Sequence, residues 1–82
     1  MKYSVEFKPK SHKDLKRLPK KDVAKILHKI EEMSDGLVGD VKKLTKYTPE
    51  YRMRHGNYRV LFEIEGKNII VYRILNRKEA YK

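Results

Sequence analysis

The chain has no cysteine, so no disulfide can staple it, and this fits a reducing compartment. Acidic residues are scarce, 11 against 21 Lys and Arg, leaving a net charge of +10. A field of that sign favours a polyanion or an acidic protein as partner, although a merely lysine-coated soluble protein would share the composition. Long apolar runs are missing as well. Met1 to Phe7 alternates polar and apolar residues, which is no signal peptide, and no run reaches the roughly 18 residues a membrane span needs. The expectation is a cytoplasmic protein with no membrane association. The usual catalytic sets are also absent: no metal-ligand cluster, no paired carboxylates, no Gly-rich phosphate loop and no Ser, His, Asp constellation. His28 and His12 have no second His or Cys at metal spacing and read as surface or boundary residues. At 82 residues the chain, 1–82, is one small domain.

What is present is periodic. Tyr3, Val5 and Phe7 alternate with polar residues as in a half-buried strand, which Pro9 ends. Ser11 reads as a helix N-cap with Asp14 three positions on, and Leu15 and Leu18 point inward before Pro19 closes that helix. A second helix carries Val23, Ile26, Leu27, Ile30 and Met33 as its apolar stripe, and Asp35 and Gly36 stop it. Leu37 to Glu50 is a connection with turns at Gly39 and Pro49 and room for one short strand. Three strand-like runs follow, Tyr51 to His55, Tyr58 to Glu65 and Ile69 to Leu75. They are joined by turns at Gly56–Asn57 and at Gly66, Lys67 and Asn68. The predicted fold is α+β: an N-terminal strand, a two-helix hairpin, then an antiparallel meander with the helices packed on one sheet face. The last run is apolar on both faces, which predicts a central or covered strand.

The cations are unevenly distributed. Twelve of 15 lysines lie in the first 50 residues, and five of six arginines in the last 32. Lys behaves as a solvated point charge, whereas Arg presents a planar fork matched to phosphate. A two-residue turn at Gly56–Asn57 pairs His55 with Tyr58 and sets Arg54 across from Arg59, with Arg52 on the same face. Like charges directly opposite destabilise a sheet, so folding gains nothing from this placement, while an anion site would. The competing reading is a solvated face paired with Glu63 or Glu65, which share the parity of Arg59. Met53, Tyr58, Val60, Phe62 and Ile64 have the opposite parity and form the face for the helices. Beyond the last strand, Arg77 and Tyr81 are i and i+4 and would share one side of a helical turn, or belong to a frayed basic terminus.

A phosphodiester in RNA can be cut by its own 2′-OH. The protein must then supply geometry, a proton acceptor and stabilisation of the added negative charge. Arginines supply the last, and His55 and Tyr81 are the residues able to move the proton.

Taken together, Lys42, Lys43, Leu44, the run Tyr51 to Val60 with its Gly-x-Tyr-Arg element, and the ending Asn76, Arg77, Lys78, Glu79, Ala80, Tyr81 resemble the RelE/ParE superfamily of bacterial toxins. The likeness is nearest to its RelE branch of messenger-RNA endonucleases. It implies a RelE-like microbial ribonuclease fold, metal-independent and without cofactor, that cuts mRNA in the ribosomal A site and is held by a cognate antitoxin. By position, Arg59 matches the transition-state arginine, Arg77 the arginine of the C-terminal motif, and Tyr81 the tyrosine that acts on the 2′-OH or stacks on a base. Arg52 and Arg54 stand where the prototype has two lysines. Arg is effectively never deprotonated, so these two bind phosphate and the base role passes to Tyr81 or His55. Two other readings share the fold: a ParE-like toxin that inhibits DNA gyrase, and a non-catalytic basic RNA-binding module.

Overall fold

The computed structural model describes residues 3–36, 40–44 and 49–77. Its elements are β1 (Ser4–Phe7), α1 (Pro9–Lys16), α2 (Lys20–Ser34), β2 (Asp40–Lys43), β3 (Tyr51–His55), β4 (Tyr58–Glu65) and β5 (Asn68–Asn76). The five strands form one sheet in the order β1-β5-β4-β3-β2. Strands β2 to β5 are the expected antiparallel meander, and β1 adds to β5 in parallel, Val5 against Ile69 and Phe7 against Val71. The last strand is therefore interior, which its two apolar faces require.

The helices cover one face. Ile26, Ile30 and Met33 of α2 meet Met53, Val60, Phe62, Ile69, Val71 and Ile74 in a core with almost no solvent contact, flanked by Leu15, Leu18, Tyr58 and Ile64. Leu27, expected in the apolar stripe, is exposed, because the sheet takes only the Val23, Ile26, Ile30, Met33 side of the helix. His28 pairs with Glu32 on the surface, Nε2 to Oε1 2.8 Å.

The start of α1 differs from expectation. Pro9, not Ser11, opens the helix after an extended Lys8. Proline lacks the N–H that the first turn leaves unpaired, and its fixed φ already suits a helix. Ser11 is fully buried inside that turn, its Oγ donating to the Lys8 carbonyl at 2.7 Å. Pro19 is the N-cap of α2, so two helices form where one would have been broken. The second hairpin is also tighter than expected: Glu65 pairs with Asn68 across Gly66 and Lys67, with Gly66 at φ 60°.

Asp14 has a different task from capping. Where β1 ends, α1 takes its place beside β5, and Asp14 accepts the backbone N–H of Ile74 at 2.9 Å. A continuing strand would otherwise have used that donor. The same carboxylate accepts Nε and Nη2 of Arg73 at 2.8 and 3.1 Å. Burial pushes the Asp14 pKa up, but the bonds from Arg73 and Ile74 and the charges of Arg73 and Arg17 outweigh it and hold the carboxyl below its ordinary value. Arg73 reaches this position from an irregularity in β5: Phe62 pairs with Val71 and Leu61 with Arg73, leaving Tyr72 as the extra residue of a bulge.

Candidate nucleic-acid site

The β3–β4 hairpin turns through Gly56 and Asn57 with Gly56 at φ 59°, a conformation available to glycine at no steric cost. The resulting register sets His55 against Tyr58, Arg54 against Arg59, Met53 against Val60 and Arg52 against Leu61. Arg52, Arg54 and Arg59 thus share the sheet face opposite the helices, and Lys42 of β2 extends the row of Arg52.

Arg59 is the least ordinary of them. It is 6% exposed, its Nη1 donates to the carbonyls of Gly56 (3.2 Å) and Tyr58 (3.0 Å), and its buried Nε has no partner. Arg52 likewise keeps a buried, unpartnered Nε. An unpaired buried donor costs free energy, more so on a charged group, and the penalty is relieved when an anion supplies the acceptor. Glu63 Oε1 accepts the backbone N–H of Glu50 at 2.9 Å, and among the described residues no carboxylate forms an ion pair with Arg52 or Arg59.

Arg77 joins the hairpin through its backbone. Its N–H donates to the Asn57 carbonyl at 2.6 Å, which brings the exposed Arg77 to the turn that carries Arg59. Tyr81 lies outside the described residues. His55 is not brought to the arginines: its parity is that of Met53, and it lines a cleft of about 250 Å³ on the helix side with Asp22, Lys25, Gly56, Asn57 and Tyr58. There the Tyr58 hydroxyl donates to Asp22 Oδ2 at 2.9 Å, and this bond, with burial and the Asp22 charge, raises the phenol pKa. Strand parity alone was enough to separate His55 from Arg54 and Arg59. Tyr72 and the Asp14–Arg73 clamp were missed altogether, the first because a bulge is silent in the pattern, the second because its partners lie on different elements.

The profile of the family described as "ParE toxin of type II toxin-antitoxin system, parDE" matches residues 5–81. The chain belongs to this family, within the RelE/ParE superfamily. A curated family relative, Toxin RelE3 of Methanocaldococcus jannaschii, is 40% identical over 74 residues, 84% of each chain. The toxin in the crystal structure of the RelB-RelE antitoxin-toxin complex from Methanococcus jannaschii is 38% identical, with a TM-score of 0.78 over 94% of this chain and 95% of that one. In the archaeal RelE-RelB complex from Pyrococcus horikoshii OT3 the corresponding values are 28% and 0.80, over 98% and 100%. The two helices and five-stranded sheet are the fold of these RelE toxins, and the protein is a type II toxin of the RelE family.

Proposed function

We propose that this toxin is a ribosome-dependent endoribonuclease, in which the 2′-OH of the message attacks the adjacent phosphate to leave a 2′,3′-cyclic phosphate and a 5′-OH. The observation that carries the reading is the buried Arg59 guanidinium, fixed by two carbonyls and left with an unpartnered Nε on the face it shares with Arg52 and Arg54. A guanidinium already held and desolvated needs no reorganisation to meet charge that develops on a phosphate. Arg52 and Arg54 hold the flanking backbone, Arg77 stabilises charge from the turn side, and Tyr81 takes the 2′-OH proton. His55, on the opposite face, is left out of the proton path. The cognate partner is an antitoxin of the RelB kind, as in the solved complexes of the relatives, with a contacting segment that is acidic and amphipathic.

A second reading follows from the family's description as ParE toxin: inhibition of DNA gyrase by binding. Translation of a defined message with wild type, Arg59→Lys, Arg59→Ala, Arg77→Ala and Tyr81→Phe, with mapping of transcript 5′ ends, separates the two. Wild type should give translation-dependent cuts. Arg59→Ala should lower the cleavage rate about 10²- to 10³-fold, the usual effect of removing one preorganised donor. Arg59→Lys, which keeps charge but not the fork, should recover only part of it. Absence of cuts by wild type, together with gyrase-linked DNA breaks, would replace the nuclease reading with the second.

A further inference from the structure

On the same sheet face as the arginines, where β5 bulges, a groove of about 480 Å³ opens between the start of α1 and the chain leading into β3. It is lined by Lys8, Pro9, Lys10, Pro49, Tyr72 and Arg73. The Tyr72 ring is partly exposed, with the Lys8 ammonium 5.2 Å from its centroid. The lining has three cations, one aromatic ring and no carboxylate. Arg73 is anchored by Asp14, so one side of the groove is rigid while Lys8 and Lys10 are long, exposed and free to follow a ligand.

We propose that this groove is a stacking subsite for one nucleotide of single-stranded RNA, next to the nucleotide whose phosphate lies on Arg52, Arg54 and Arg59. The inference rests on the RNA substrate proposed above and adds a place where the strand is held outside the reacting bond. Its physical basis is the pairing of a π face with cations. Every base presents a π face to an aromatic ring, and the backbone beside it carries the charge that lysines neutralise. Lys8, which now sits over the ring, gives way to the base and turns to its phosphate. The groove is also at a suitable distance. Arg52 pairs with Leu61 and Leu61 with Arg73, so two strand spacings of about 4.8 Å place Arg73, the chain neighbour of Tyr72 in the groove, roughly 10 Å from Arg52 across the sheet. A strand lying on the arginines would run directly into the groove, which a helical acidic peptide would meet with only one aromatic contact.

The test uses 2′-O-methyl oligonucleotides, which bind but cannot be cut, carrying the fluorescent base 2-aminopurine at successive positions. Wild type should quench one position by stacking. Tyr72→Ala should abolish that quenching and weaken binding about 5- to 150-fold, the range for losing one base–aromatic stack, while Tyr72→Phe should match wild type. Lys8→Ala with Lys10→Ala should reduce the slope of log K against log salt by about 1.4, as expected for two phosphate contacts on a single strand. Should Tyr72→Ala melt early, Tyr72→Leu keeps apolar bulk without a π face and should still lose the quenching. Unchanged binding in Tyr72→Ala and Tyr72→Leu, with weaker binding in Arg52→Ala, would overturn the subsite and leave the arginine site standing. The subsite is equally overturned if Tyr72→Ala weakens only the binding of a short Glu- and Leu-rich peptide, because the groove would then belong to a protein partner. If wild type binds no oligonucleotide the subsite falls too, and the translation assay decides the nuclease reading independently.

Discussion

Asp14→Ala is predicted to destabilise the fold by about 2–4 kcal/mol. The carboxylate accepts three donors, and they do not count equally. Ile74 N–H is buried against α1, so losing its acceptor costs the desolvation penalty of about 1–3 kcal/mol. Arg73 is 34% exposed and can turn to water, so its share is nearer the roughly 1 kcal/mol of a surface pair than that of a buried one. Asp14→Asn keeps an oxygen for Ile74 and gives up the charge, which makes its cost about 1–2 kcal/mol. In a domain of this size each kcal/mol moves the melting temperature by about 4–8 °C, so Asp14→Ala should melt some 10–30 °C lower. Urea denaturation at neutral pH measures both variants. Because the folded carboxyl is held below its ordinary value, its contribution is fully present above pH 4 and is lost as pH falls through the lowered value. The gap between wild type and Asp14→Asn should therefore close in acid and stay constant from pH 5 to 8. A gap that widens in acid, or an Asp14→Ala midpoint within about 0.5 kcal/mol of wild type, would refute the account of the clamp.

Two further substitutions test the hairpin and the cleft behind it. Gly56→Ala should cost about 1–2 kcal/mol by urea denaturation, because φ 59° is strained for a residue with a Cβ even though that Cβ would meet no atom; Gly56→Asn should cost less. Tyr58→Phe should lose about 0.5–1.5 kcal/mol in the same assay with its hydrogen bond to Asp22. The wild-type advantage should persist below pH 10 and fade as pH rises through the raised phenol value.

The parts of the molecule that could be read from sequence are those governed by local periodicity. The alternation in Val5 and Phe7, the Ile26, Ile30, Met33 spacing and the Gly56–Asn57 turn each fix an element, and the turn alone fixed the opposition of Arg54 and Arg59. Misreadings arose where a local rule had two outcomes. Ser11 and Pro9 both suit a helix start, and the proline's missing N–H prevailed. Leu27 fits the stripe by spacing, but the sheet does not extend over it. Pairings between distant residues had no local signal at all: neither Asp14 with Ile74 nor Asn57 with Arg77 is marked by either segment on its own.

The parallel seam between β1 and β5 governs when the protein can exist as a folded object. Ser4 to Phe7 leaves a translating ribosome well before Asn68 to Val71, its strand partner among the described residues. Contacts of such high sequence separation close late. Until β5 has emerged, the opening strand has nothing to pair with, Asp14 lacks Ile74, and the Asn57 carbonyl lacks Arg77. A nascent chain therefore carries Arg52, Arg54 and Arg59 before Arg77 can be joined to their hairpin, and the proposed site is complete only once the last strand has been made.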